Sequence, residues 1–155
     1  MKKQVKLNEI IDVMETQFEG TSTYLNLKTY EVVSVSGDDM RIAEDEESFD
    51  HLPEWQQKDI QKAIDVLENF EDYLELPTKF EISEYNMMEQ FIDNLNDQKK
   101  KSELFNSIQG KGAFRRFKDK LYDLEVHEEW YAYRDESFKQ IALEWCNDND
   151  IQCIE

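Results

Sequence analysis

Gly110-Lys111-Gly112, followed by Arg115 and Arg116, is the stretch whose residue types and spacing come nearest to a binding chemistry. Glycine lets the backbone approach a ligand closely, and the unpaired N–H groups of a helix start favour phosphate or carboxylate. Lys111 adds a point charge, and Arg115 and Arg116 can each grip an anion with two parallel hydrogen bonds. Gly110, Lys111, Gly112, Arg115 and Arg116 are therefore the candidate anion-binding residues. The plainer reading, helix punctuation followed by a solvated basic face, is favoured. No strand precedes the glycines, Arg115 stands where a dinucleotide loop carries its third glycine, and no Walker sequence occurs.

The surrounding charge is lopsided. Residues 99–120 hold eight of the 18 basic residues against Glu103 and Asp119, a net charge of +6, which leaves −24 for the rest of a chain whose total is −18. Such a segment with Phe114, Phe117 and Tyr122 nearby could track phosphates and stack bases. Those Phe residues fall on an apolar stripe, however, and the overall field repels polyanions, so nucleic-acid binding is not expected.

Catalytic chemistry is poorly supplied. No Gly-x-Ser-x-Gly elbow occurs. His127-Glu128-Glu129-Trp130-Tyr131 fails the zinc-protease pattern, because Tyr131 stands at the second His position. Asp38, Asp39, Glu44, Asp45, Glu46 and Glu47 are hard oxygen donors, but they miss the EF-hand order and read as a solvated acidic loop. Cys146 and Cys153 match neither a redox pair nor a zinc knuckle and read as free thiols. No catalytic residue, metal or cofactor is expected. Arg134 is different, because it lies in an apolar stripe and a buried guanidinium must be paired. Its partner is an acid on another helix or a ligand anion, the acid being favoured. Asp119 and Arg134 are thus candidates for an ion pair, and Trp130 and Trp145 for aromatic anchors.

The elements that position these residues follow from periodicity. Leu7, Ile10, Ile11, Met14 and Phe18 define a first helix, capped by Asn8 and closed by Gly20. Tyr24–Leu27 and Val32–Val35 alternate as a hairpin about Lys28-Thr29. Asp38–Asp50 reads as an acidic loop, with a possible short strand at Met40 and Ile42. Pro53 opens a long helix whose stripe is Ile60, Ala63, Ile64, Leu67 and Phe70, ending before Pro77. Ser83 caps a helix with Tyr85, Met88, Ile92 and Leu95. Further helices carry Leu104, Phe105 and Ile108, then Phe114, Phe117, Leu121 and Leu124. A last helix runs from about 128 to 147, and 151–154 adds a short strand.

The fold class expected is α+β, mainly helical, with five or six helices and a small antiparallel hairpin or sheet near the N-terminus. It is read as a single domain over 1–155, with the helix and hairpin at about 5–36 and the helical body at about 53–148. At 39% hydrophobic and 12% aromatic, the composition excludes an acidic disordered chain. Asn8, Glu9 and Asp12 interrupt any apolar run behind the basic start, so no secretory signal is expected, nor is a membrane partner.

Gly112-Ala113-Phe114-Arg115-Arg116-Phe117-Lys118-Asp119, Glu129-Trp130-Tyr131-Ala132-Tyr133-Arg134 and Ala142-Leu143-Glu144-Trp145 form a familiar spacing. Together with Tyr24-Leu25-Asn26-Leu27 and Thr29-Tyr30-Glu31-Val32, it resembles a group of bacterial proteins known as uncharacterised protein family 0158. Tyr30 stands where Gly is more usual, which bears on turn type. The resemblance implies a bacterial cytoplasmic protein, assigns no activity, and singles out Arg115, Arg116, Asp119, Trp130 and Arg134. The function expected is a non-enzymatic cytosolic interaction or regulatory module, binding a protein partner or itself. The alternatives are an anion or phosphate site at 110–118 and nucleic-acid binding by 99–120.

Overall fold

Thr23 and Leu25, two apart, are buried on one strand and Val35 on the next, and this period of two builds the hairpin that anchors the N-terminal part of the chain. The computed structural model describes residues 4–16 and 20–155, with the backbone alone at Phe80. Strands β2 (Thr21–Asn26) and β3 (Val32–Ser36) pair antiparallel, with Leu25 opposite Val32 and Thr21 opposite Ser36. The Asn26 carboxamide oxygen accepts from Lys28 N and Thr29 N and folds the turn over itself. The turn closes at Tyr30, whose φ of 60° is left-handed, so the usual glycine would sit there without strain. The N-terminal Val5–Lys6 is β1, and β4 (Tyr73–Glu75) adds a third strand on the other side of β2. The fold is α+β and mainly helical, with a small antiparallel sheet of order β3-β2-β4.

The chain divides into two compact units, residues 1–78 with 142–155, and residues 79–141. In the first, α1 (Leu7–Glu15) buries Leu7, Ile10 and Met14. Lys6 occupies its N-cap without a side-chain bond, so Asn8 is not the cap. The helix stops at Glu15, and Gly20 instead opens β2, its carbonyl accepting from Gly37 N at 2.7 Å. The expected Phe18 contact lies outside the described residues. The expected acidic loop and strand at 38–50 give way to a helix, α2 (Gly37–Glu44). Ser36 caps it by accepting from Asp39 N at 3.1 Å, Asp38 and Asp39 suit its positive end, and Met40 and Ala43, three apart, reach the core. Helix α3 (Glu54–Glu68) follows Pro53 and buries Ile60, Ala63 and Val66. Its face is turned from the expected stripe, and Leu67 and Phe70 are exposed. It ends well before Pro77, in a short 3-10 turn at Phe70–Asp72 that leads into β4. Val35, Ala63, Val66 and Tyr73 form the centre of this core.

In the second unit, α4 (Lys79–Ile82), α5 (Glu84–Asp93), α6 (Gln98–Ser107) and α7 (Ala113–Asp123) precede α8 (His127–Asp148). Residues of α8 up to 141 belong to this unit and the remainder to the first. Ser83 lies at φ 43° and makes no capping bond, whereas Asp97 caps α6 by accepting from Lys99 N and Lys100 N. Phe91, Phe117 and Trp130 form an aromatic cluster, with Phe117 and Trp130 edge to face at 4.9 Å. Phe105 and Phe114 are exposed, so only part of the stripe expected on each of α6 and α7 is buried. After α8, the strand β5 (Cys153–Ile154) pairs parallel with β1 in the first unit.

Candidate functional site

The glycine turn before α7 is left-handed at both Gly110 and Gly112, each at φ 77°. This bends the chain so that Arg116 faces back along it. Its Nε donates to Ser107 O at 3.0 Å, and its terminal nitrogens donate to the carbonyls of Lys111, Gln109 and Gly110. Those oxygens belong to the end of α6 and the turn after it, where the helix dipole is negative. Arg116 thus works as the cation that closes α6. Lys111 and Arg115 are exposed. Arg116 and Asp119 line a shallow surface hollow of about 410 Å³ with Glu103, Lys120 and Asp123, three carboxylates against two cations.

Arg134 meets Glu84 on α5 at 3.3 Å, and its guanidinium lies 4.3 Å above the Phe138 ring. Trp130 is fully buried in the second unit. Trp145, in the first, donates from its indole N–H to Glu75 O at 3.0 Å and so fixes α8 to the edge of β4. Trp55 is 66% exposed and anchors nothing in the core. His127 stacks on Tyr122 at 4.2 Å, and its Nδ1 is buried without a hydrogen-bond partner among the described residues. No carboxylate there orients it as a general base would require.

A second polar network ties β4 to α3 in the first unit. Tyr73 donates its hydroxyl to Asp65, which also accepts from Asn69 at 2.8 Å, and Asn26 donates to the Tyr73 oxygen at 3.3 Å. Burial, followed by the bond to Asp65 and its charge, pushes the Tyr73 phenol up from 10.0 to about 12.

One concavity of this unit has no counterpart in the sequence reading. A groove of about 560 Å³ is lined by Ile42, Ala43, Phe49, Ile64 and Leu67, with Glu44, Glu46, Glu47 and Glu68 around them. It exists because α2 is a helix: the residues read as loop acids stand at one end of an amphipathic element. Arg41 neutralises Glu47 at 3.2 Å. Among the described residues, Glu44, Glu46 and Glu68 hold no cation. Glu46 sits at φ 53°, with its N–H donating to Ala43 O and that of Glu47 to Ile42 O, so a carboxylate occupies the helix-closing position that favours glycine. The groove's side chains offer apolar surface and hydrogen-bond acceptors, with no donor. Among the described residues, no cluster of His, Cys, Asp or Glu could hold a metal ion, and no helix is long and apolar enough to cross a membrane.

A protein of Pseudomonas aeruginosa, UPF0158 protein PA5073, is 33% identical over 67 residues, which cover 43% of this chain. The matched part spans 44% of that relative's length. No solved structure matches the chain significantly. The described family model runs over residues 5–155, and on that match the chain belongs to UPF0158, an uncharacterised protein family.

Proposed function

We propose that the protein is a non-enzymatic interaction module that docks a cationic, apolar-anchored segment of a partner protein in the groove between α2 and α3. The observation that carries this reading is the groove's composition, an apolar floor with uncompensated carboxylates at its margin. An apolar floor supplies the burial that drives association, and an acidic rim selects partners of opposite charge. The same rim repels phosphates and nucleic acids. At 110–116 the anion reading is weakened, because Arg116 is engaged with four backbone carbonyls.

The test is fluorescence anisotropy of the full chain with two labelled helical peptides that share apolar anchors, one Lys-rich and one Glu-rich. The Lys-rich peptide is expected to bind, with affinity falling as salt rises, and Leu67→Lys is expected to abolish binding while leaving the fold intact, because Leu67 is exposed. Equal binding of both peptides, or of neither, overturns the reading. Light scattering at low and high salt distinguishes a foreign partner from a second copy presenting its own 99–120 segment. A monomer throughout points to the foreign partner, and self-association that salt dissolves points to the copy.

A further inference from the structure

Helix α8 closes on Asp150, a left-handed residue at φ 54°. The Asp150 N–H donates to Asn147 O at 3.3 Å and the Ile151 N–H to Cys146 O at 2.8 Å, the paired bonds of a helix-reversing turn. The chain therefore doubles back along the last turn of α8. Val5 N donates to Gln152 O at 3.2 Å and Val5 pairs with Cys153, which holds the returning strand in place. The reversal brings two thiols seven positions apart in sequence side by side, with the side chains of Cys146 and Cys153 in hydrogen-bonding contact. Their surroundings differ. Cys146 is 2% exposed, whereas Cys153 is half-buried, and both are reduced.

We propose that Cys146 and Cys153 are a reversible thiol–disulfide site, oxidised by low-molecular-weight disulfides, with Cys153 reacting first and Cys146 resolving. The Cys153 thiolate attacks one sulfur of the incoming disulfide, which forms a mixed disulfide and releases one small thiolate. Cys146 then loses its proton to solvent, and its sulfur attacks that of Cys153. This forms the intramolecular bond and expels the second small thiolate. Two protein thiols and one small disulfide become one protein disulfide and two small thiols. Accessibility sets the order, since reactivity requires an exposed thiolate. Burial, and then the neighbouring Cys153, push the Cys146 thiol up to about 12, so it does not initiate. Once Cys153 is capped, its partner is already in contact, and the second step is intramolecular. The product fastens β5, and through it β1, to the end of α8.

The experiment incubates the full chain with glutathione disulfide, blocks residual thiols with an alkylating agent, and reads intact mass and peptide maps with and without a final reductant. The expected result is a monomer that has lost two hydrogens, carries no glutathione and no alkyl group, and returns to the starting mass on reduction. Cys146→Ser is expected to accumulate a stable glutathione adduct at Cys153. Cys153→Ser is expected to leave Cys146 unmodified while the protein stays folded, as judged by circular dichroism. A wild-type chain that stops at the mixed disulfide, that forms only intermolecular bonds, or that keeps both thiols after exposure overturns the proposal.

Discussion

Arg116 Nε donates to the carbonyl of Ser107 at 3.0 Å, so a side chain in the first turn of α7 closes the helix before it. Hydrogen bonds to a charged group contribute about 1.5–3 kcal/mol, and less where, as at Arg116, the side chain is exposed. Arg116→Ala is expected to lower stability by about 1 kcal/mol, because only its bond to Ser107 is partly shielded, whereas Arg115→Ala stays within about 0.5 kcal/mol. Arg116→Lys is expected to rescue little, because an ammonium cannot reach several carbonyls in one plane. Urea unfolding of the three variants provides the comparison, and equal losses for Arg115→Ala and Arg116→Ala would remove the distinction.

Gly112 is coupled to that same arginine. A Cβ at Gly112 would stand 3.0 Å from an Arg116 terminal nitrogen, on a backbone already at φ 77°. Gly112→Ala is expected to cost about 1–2 kcal/mol from the left-handed backbone alone, with a further loss as the guanidinium is displaced. In Arg116→Ala the displacement has nothing left to disturb, so the double variant is expected to lose less than the sum of the single ones. Strict additivity in the double-mutant cycle would show the two positions to be independent.

Glu46 and Glu125 offer a matched pair. Both occupy left-handed positions just past a helix end, at φ 53° and 58°. Each places a negative charge where the helix dipole is already negative. Either substitution by Gly is expected to raise stability by about 1 kcal/mol, after allowing for the extra freedom of the unfolded chain. Only Glu46→Gly is expected to weaken the Lys-rich peptide, because Glu46 borders the groove. If Glu125→Gly weakened that peptide as much as Glu46→Gly, the docking site would have to be moved.

Tyr73 gives a pH signature. Its phenol is held protonated in the fold, with its value raised from 10.0 to about 12. The native state therefore keeps a proton that the unfolded state releases. The associated stability is fully present below pH 10 and is lost as the pH rises toward about 12. Tyr73→Phe is expected to be less stable at neutral pH and to show a shallower decline above pH 10. Urea midpoints measured across that window, wild type against variant, check the slope. Parallel curves would mean that the hydroxyl is not held by Asp65.

Much of the fold was legible because local pattern and tertiary packing agree. The hairpin at Tyr24 and Val33 and the Phe117–Leu121 stripe of α7 are of this kind. Helix α2 was obscured by its own acids, although Ser36 and the Met40–Ala43 spacing carried the signal of a capped, one-sided helix. Strand β4 had no local signal, since Tyr73, Leu74 and Glu75 become a strand only by pairing with β2. An arginine within an apolar stripe announces that it needs a partner, and Arg134, which is half-buried, is read that way from the stripe alone. That the partner is Glu84 depends on how α5 and α8 pack. At Arg116 the charge was plain, but its partners are backbone oxygens, which no side-chain pattern displays. The groove is hidden for the same reason as α2, because the acids of its rim have the pattern of a loop.

The three indoles have a practical consequence. Trp130 is buried in the 79–141 unit, Trp145 is buried in the other, and Trp55 is in water. Replacing Trp55 by Phe would leave one intrinsic fluorophore shielded in each unit. Further replacement of either remaining indole yields a single-colour reporter for the other, and the emission shift on denaturation then reads each unit by itself. Two overlapping melting curves would identify a single cooperative block, and two separated curves would rank the units by stability, without any label added to the chain.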